Sequence, residues 1–288
     1  NEANELTKRL PEDLAKTPRW RYWQARSLQL SQPQNPKLPS LYQPLASERD
    51  FYGFMAADQV QLPYQLNNQP MVFRSYHVSR LFSREELVAQ ARLAYEKQWY
   101  FPAIRTISQA QYWDDLDIRF PMAYRSTLTS EARKRDLHSS WVFAITRQES
   151  AFMSDAKSGV GATGLMQLMP ATAKETAKRY GIPFSSNQQL VNPNLNIQLG
   201  TAYLNQLYAQ FNGNRVLASA AYNGGGGNVR KWLRGADHLP ADVWIETIPF
   251  DETRQYVQNV LAYSVIYGKK LDAPVPVMEW HEKFFDDQ

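Results

Sequence analysis

The strongest constraint on this chain is its punctuation. Helix starts and stops recur through its second half with few strand signals between them. Pro170 sits where a first helical turn begins, and Gly181 with Pro183 ends that turn's helix. Asn192-Pro193 opens another helix to about Phe211, and Asn212-Gly213-Asn214 turns the chain into a shorter one ending at Tyr222. Asn223 through Asn228 reads as a glycine loop, and a last long helix is predicted from about Glu252 to Tyr267. Ser139 is placed as the cap of a helix through Trp141 to about Ser150. This pattern specifies a mostly α protein.

The first half reads the same way with shorter pieces. Trp20, Trp23 and Leu28 fall at helical spacing, and SQPQNP (31–36) breaks the pattern. A second helix is predicted over 41–57. The stretch 58–75 is polar and reads as extended, with a hairpin around Asn67-Asn68. Ser83 and Glu86 form a capping box for a helix through Tyr95, with Leu87, Ala91, Ala94 and Tyr95 on one face. The short helical pairs hint at the end of a solenoid, without a clean repeat. The character changes after FPMAY (120–124).

GVGATG (159–164) matches the glycine fingerprint of dinucleotide-binding proteins letter for letter. That motif works only between a strand and a helix, with an acid about 20 residues on. Here Ser154-Asp155-Ala156-Lys157-Ser158 precedes it, which is turn chemistry, and no Asp or Glu stands between Glu175 and Asp237. No Gly-Lys-Ser/Thr closes the run, so a phosphate cradle is excluded as well. The glycines read instead as a tight loop between helices, or as room for a ligand near Gly161 and Gly164.

Composition removes other classes. The chain of 288 residues is long enough for one large domain or two ordinary ones. It has no cysteine, which excludes disulfides and thiolate metal sites. His77, His138, His238 and His281 are far apart and form no ligand motif, so no metal is expected. The net charge of +4 favours a polyanionic partner, yet no basic cluster exceeds Arg133-Lys134-Arg135, so nucleic acid is not expected. No apolar stretch approaches the length of a membrane span. The chain begins at Asn1 with no visible leader, which reads as a processed chain. Its 8 Trp and 16 Tyr fit either core packing or a groove for a flat ligand such as a sugar.

One carboxyl stands out. Trp141, Ile145 and Glu149 are spaced by four, so an apolar stripe leads straight to Glu149. Glu149 is then either a surface acid paired with a cation or a carboxyl held against apolar walls such as Met166 or Met169. Arg147, two residues away, points to another side of the helix. Desolvation would raise the Glu149 pKa and make it an acid near neutral pH. The nearest other acid in sequence, Asp155, lies in a polar turn that suits a solvated role.

AITRQES (144–150), GATGLMQLMP (161–170), AYNGGGG (221–227) and IETIPFDETRQYV (245–257) together resemble, in order, the catalytic domain of soluble lytic transglycosylases. That domain resembles goose-type lysozyme. RWRYW (19–23) and ERDFYG (48–53) are similar to the large periplasmic members, which carry a helical superhelix before a linker domain. The resemblance implies the end of a superhelix at 1–57, a helical linker domain at 58–119 and a lysozyme-like catalytic domain at 120–288, a form lacking most of the superhelix.

It further implies that Glu149 is the single catalytic acid/base. Ser158, Gln167 and Met169 would line the sugar cleft, and Tyr222, Asn223 and Glu246 would face it from the far wall. The implied reaction cleaves the β-1,4 bond between N-acetylmuramic acid and N-acetylglucosamine in peptidoglycan with a 1,6-anhydro product. The alternatives are a muramidase hydrolysing the same bond and a non-catalytic wall-binding scaffold. The implied setting is a periplasmic monomer without cofactor, with peptidoglycan strands and other cell-wall enzymes as partners. One departure is visible: the family reads Asn-Ala-Gly-Pro-Gly where this chain has Asn223 and four glycines. The lost proline implies a less restrained loop, with Gly225 and Gly227 keeping the positions that matter.

Overall fold

The computed structural model describes residue 7, residues 10–70 and residues 83–285, in two compact units, Asn1–Asn67 and Asn68–Gln288. His77 and the 71–75 part of the expected extended stretch lie outside the described residues.

Unit one holds α1 (Glu12–Ala15), α2 (Pro18–Ser31), α3 (Leu38–Tyr42) and α4 (Phe51–Val60). The helix predicted over 41–57 is instead broken in two. Pro44 leads into a 3-10 turn at Leu45–Ser47, Glu48 is extended, and the Asp50 carboxylate caps α4 by accepting from the Gly53 amide at 2.8 Å. Tyr22 is fully buried between Tyr42 and Tyr52, with ring centroids 6.0 and 5.8 Å away.

Among the described residues around Asn67 and Asn68 there is no hairpin ladder. Asn68 Oδ1 accepts from the Leu116 amide at 3.0 Å and the Gln69 amide donates to the Asp114 carbonyl at 2.8 Å. These groups are spent on a loop rather than on a ladder. Ser83 and Glu86 form the predicted capping box at the head of α5 (Arg84–Glu96). Val88 and Ala91 pack on α6 (Tyr100–Gln109), with Leu87, Ala94 and Tyr95 against the same cluster. Then follow α7 (Leu116–Arg119), α8 (Arg125–Arg133), α9 (Ser139–Ser150), α10 (Pro170–Tyr180), α11 (Pro193–Gln210), α12 (Arg215–Gly224), α13 (Gly226–Leu233), α14 (Ala241–Thr247) and α15 (Asp251–Lys270). Among the described residues there is no β-strand, and no helix is long and apolar enough to cross a membrane.

The most extensive helix pairing is α9 against α15. Trp141, Phe143 and Tyr267 are fully buried in unit two, each contributing roughly 1.5–3 kcal/mol by leaving water. The Trp141 indole N–H also donates to Ser219 Oγ at 3.0 Å, which ties α9 to α12.

Two local expectations change. Ser139 is the first residue of α9 rather than its cap, and His138 holds the cap position without a side-chain bond to the helix amides. Residues 223–228 are not a glycine loop. Helix α12 runs on to Gly224, Gly225 turns the chain at φ 86°, and α13 starts at Gly226. Gly226 therefore occupies a first helical position, where the family's proline would also fit. Gly227 has open space and helical backbone, so it is not one of the glycines this turn requires.

Candidate active site

Glu149 ends the apolar stripe of α9, one residue before the helix stops. Part of its surface stays open, but its carboxyl sits deep among protein atoms. Burial pushes its pKa up to about 8; a hydrogen bond from Tyr256 opposes this and the Glu252 charge adds to it. The surface ion pair is ruled out. Among the described residues Glu149 has no cation partner, and Arg147 is engaged elsewhere. Its Nε donates to the Arg119 carbonyl at 2.8 Å, and its guanidinium lies over Phe120 and Tyr263 at 5.5 and 5.6 Å.

Tyr256 is the residue that the sequence reading left without a role. It lies on α15, and its hydroxyl donates to Glu149 Oε1 at 2.6 Å. Burial, then the Glu149 charge, hold its own pKa well above the ordinary tyrosine value, so it stays a donor. Tyr222 closes the same group. Its hydroxyl donates to the Met166 carbonyl at 2.8 Å, and its ring meets Tyr203 at 5.3 Å. Burial and the Glu149 charge raise its pKa too. The acid that Glu149 senses is Glu252 on α15, and not the sequence-adjacent Asp155.

The other predicted residues are held by bonds of their own. Asn223 Oδ1 accepts from Thr253 Oγ1 at 2.6 Å, and its Nδ2 donates to Glu252 Oε1 at 3.5 Å. Glu246 Oε1 accepts from Gln258 Nε2 at 3.3 Å, one half-turn beyond Tyr256. Gln167, with φ 45°, donates both amide protons to carbonyls, of Ala156 at 3.0 Å and Gly164 at 2.8 Å, leaving Oε1 as its acceptor. Ser158 braces the glycine loop, accepting from the Ala162 amide at 3.0 Å. Met169, at the cap of α10, is 40% exposed. Met166 is fully buried.

The glycine loop has a different engine from the one expected. Asn196, fully buried on α11, donates to the carbonyls of Thr163 and Leu190 at 3.0 and 2.8 Å and accepts from the Met166 amide at 2.8 Å. Gly164 has φ 84°, and a Cβ there would lie 2.2 Å from Asn196 Nδ2 and 2.3 Å from the Leu190 carbonyl. Gly164 thus makes room for Asn196 rather than for a ligand, while Gly161 faces open space. Among the described residues no cluster of three or more His, Cys, Asp or Glu could hold a metal.

The Tyr256 bond favours the ionised form of Glu149, so removing it acts with burial. In Tyr256→Phe the Glu149 pKa, read by carbon NMR titration of labelled glutamate, is expected to rise by about one unit above its parent value. A fall, or no change, would mean that the tyrosine does not donate to the carboxylate.

Comparison with known proteins adds three family matches. Residues 64–116 match the soluble lytic murein transglycosylase L domain, residues 126–245 the transglycosylase SLT domain, and residues 247–274 the soluble lytic transglycosylase helical domain. The chain is 36% identical over 311 residues to the soluble lytic murein transglycosylase of Salmonella typhimurium, covering 96% of this chain and 48% of that protein. Against the Escherichia coli K12 protein of the same name the identity is 36% over 310 residues with the same coverage. The chain thus spans about half the length of these relatives. An inactive glutamate-to-glutamine mutant of lytic transglycosylase Slt from Pseudomonas aeruginosa superposes with a TM-score of 0.94 at 62% identity, over 100% of this chain and 52% of that one. The 70-kDa soluble lytic transglycosylase of Escherichia coli superposes with a TM-score of 0.89 at 34% identity, over 97% and 50%.

Proposed function

The chain belongs to the soluble lytic transglycosylase family, and on that premise we propose that it cleaves the β-1,4 bond between N-acetylmuramic acid and N-acetylglucosamine, with Glu149 as its single acid/base and a 1,6-anhydro product. The observation that carries this reading is a partly open carboxyl that keeps its proton to about pH 8 and is gripped by a tyrosine hydroxyl. Such a group can donate a proton at neutral pH. That an inactive mutant of the Pseudomonas aeruginosa relative replaces glutamate by glutamine supports a glutamate in this role.

The steps follow from one carboxyl doing two jobs. Protonated Glu149 gives its proton to the glycosidic oxygen as the bond to C1 breaks. The N-acetyl group of the muramoyl sugar stabilises the positive charge at C1. The Glu149 carboxylate then takes the proton of the sugar's own 6-hydroxyl, whose oxygen bonds to C1. No water is consumed and Glu149 ends protonated. Intramolecular attack has a high effective molarity, which substitutes for a second carboxylate. Tyr222 and Glu246 orient the N-acetyl group and the ring. Ser158, Gln167, Met169 and Asn223 line the path of the strand.

The organisation that goes with this reading is a superhelix end at 1–57, a linker domain at 58–119 and the catalytic domain at 120–288, working in the periplasm. Exposed Glu252, held by Asn223, favours one rival: a muramidase in which a second carboxylate helps a water attack. The test is the mass of muropeptides released from purified peptidoglycan. Anhydro ends, lighter than reducing ends by one water, are expected. Reducing ends would make the chain a hydrolase, and no release would leave a wall-binding scaffold.

A further inference from the structure

A second concave surface in unit two lies outside the Glu149 group. It is a cavity of about 420 Å³, within the size range of small-ligand sites, lined among others by Gln98, Trp99, Tyr124, Phe152, Ser154 and Asp155. Its aromatic wall is not core that failed to close. Helix α5 ends in a Schellman turn: the Gln98 amide donates to the Tyr95 carbonyl at 2.9 Å and the Trp99 amide to the Ala94 carbonyl at 2.8 Å, with Gln98 at φ 61°. In such turns the apolar residue after the left-handed position commonly folds back on its own helix. Trp99 instead remains 63% exposed. The turn presents a large ring to solvent on a fixed backbone.

Two further lining residues also hold left-handed backbone. Tyr124 has φ 52° and Phe152 φ 66°, and Phe152 directly follows Ala151 at φ 48°. Bulky side chains rarely adopt this region, and residues held there carry backbone strain. Three of the cavity's lining residues, Gln98, Tyr124 and Phe152, therefore hold left-handed backbone without being glycine. Phe152 belongs to the loop that begins immediately after α9, the helix that carries Glu149.

Tyr124 is shared with a shallow groove along α8, lined by Arg125, Ser126, Thr129, Ser130 and Arg133. Arg125 and Arg133 are exposed, and neither guanidinium has a partner among the described residues. Thr129 Oγ1 is buried without a hydrogen-bond partner. The joined surface thus has two ends. One offers an exposed ring with Ser154 and Asp155 beside it, suited to the apolar face and hydroxyls of a sugar. The other offers two unpaired guanidinium groups and hydroxyls, suited to carboxylates.

We propose that this surface is an accessory binding site for an acidic glycopeptide unit, a sugar ring stacked on Trp99 with its carboxylate-bearing peptide laid along Arg125 and Arg133. Asp155 sets the polarity, since it accepts sugar hydroxyls and repels the carboxylate end. The site holds a strand on the far side of the loop that follows Glu149. The choice of a wall glycopeptide as occupant rests on the function proposed above.

The test uses the full chain carrying Glu149→Gln, so that ligand is bound without turnover, and two probes. One is a purified disaccharide–tetrapeptide muropeptide; the other is a neutral β-1,4 N-acetylglucosamine tetramer. Dissociation constants are measured by calorimetry. Trp99→Ala is expected to weaken binding of both probes about three- to tenfold, the worth of one stacked ring. Arg125→Ala with Arg133→Ala weakens only the muropeptide, and that loss shrinks at high salt. Trp280→Ala, a 78%-exposed ring elsewhere, leaves both constants unchanged. Unaltered melting curves for the Trp99 and arginine variants confirm that they fold. Parent-like binding by the Trp99 and arginine variants would overturn the site, even with strand cleavage intact. Trp99-dependent binding by a chain whose Glu149 parent releases nothing would keep the site and sink the proposed reaction.

Discussion

Glu149→Gln is expected to lose at least about a thousandfold in muropeptide release while gaining stability as the pH rises. The loss follows from the proposed role: general acid and base catalysis contributes roughly 10²–10⁴-fold, and in the proposed reaction one carboxyl serves both halves. Glutamine keeps the shape and can still accept from Tyr256, so the fold and strand binding persist. The gain follows from linkage. In the unfolded chain this carboxyl ionises near 4.5, whereas in the fold it holds its proton to about 8. Between those values the folded state binds more protons than the unfolded one, so stability falls as pH rises through that window. Glutamine does not titrate. The variant should match the parent's stability near pH 4 and exceed it by about 1–3 kcal/mol above pH 8, below the ceiling of about 5 kcal/mol that the whole shift represents. Denaturant unfolding at pH 4.5, 6.5 and 8.5 reads this directly. A gain that shrinks with pH would refute the buried, protonated carboxyl. Retained release by the variant would remove Glu149 from the chemistry.

Arg215→Ala should destabilise the fold by about 3–5 kcal/mol, a large share of what a domain of this size possesses. Arg215 and Glu282 are both buried, at 4% and 0% exposure. Arg215 Nε and its backbone amide donate to Glu282 Oε1 at 2.8 and 2.9 Å, and Nη2 donates to Oε2 at 2.7 Å. Glu282 therefore pairs the side chain and also satisfies an amide at the head of α12, where the helix dipole favours an anion. Arg215→Ala strands a buried carboxylate. A double change, Arg215→Met with Glu282→Leu, removes both charges and should recover most of the loss. The pair also pins the C-terminal segment: the Ala241 amide donates to the Lys283 carbonyl at 2.9 Å, and Phe285 meets Trp244 at 5.3 Å. Amide exchange over residues 273–285 should quicken in the single variant. Equal stability of Arg215→Ala and parent in urea would contradict the argument.

Much of the local structure was legible because its causes are local. Ser83 with Glu86, Pro170 with Gly181, and Asn192 act within one helical turn, and each stands where the pattern places it. The errors have local causes as well. Glycine's poor helix propensity argued for a loop at 223–228, yet burial of Val229 and the turn at Gly225 make a helix of it. Over 41–57 a single helix was expected, and the break came from Pro44 and the Asp50 cap. The four ordered blocks identified the family before any coordinates.

By itself the sequence determined an α-rich chain, its helix caps, its family and Glu149 as the acid to watch. The caps and the acid rest on residues close together along the chain, and the family on short blocks in a fixed order. Only the tertiary structure decided what Glu149 is. Tyr256 comes from 107 residues away to donate to it, and burial together with Glu252 holds its proton. The same holds for Asn196 under the glycine loop and for Glu282 on Arg215, 30 and 67 residues from their partners. A carboxyl's proton affinity depends on the atoms within a few ångströms of it, and packing, not chain order, chooses those atoms.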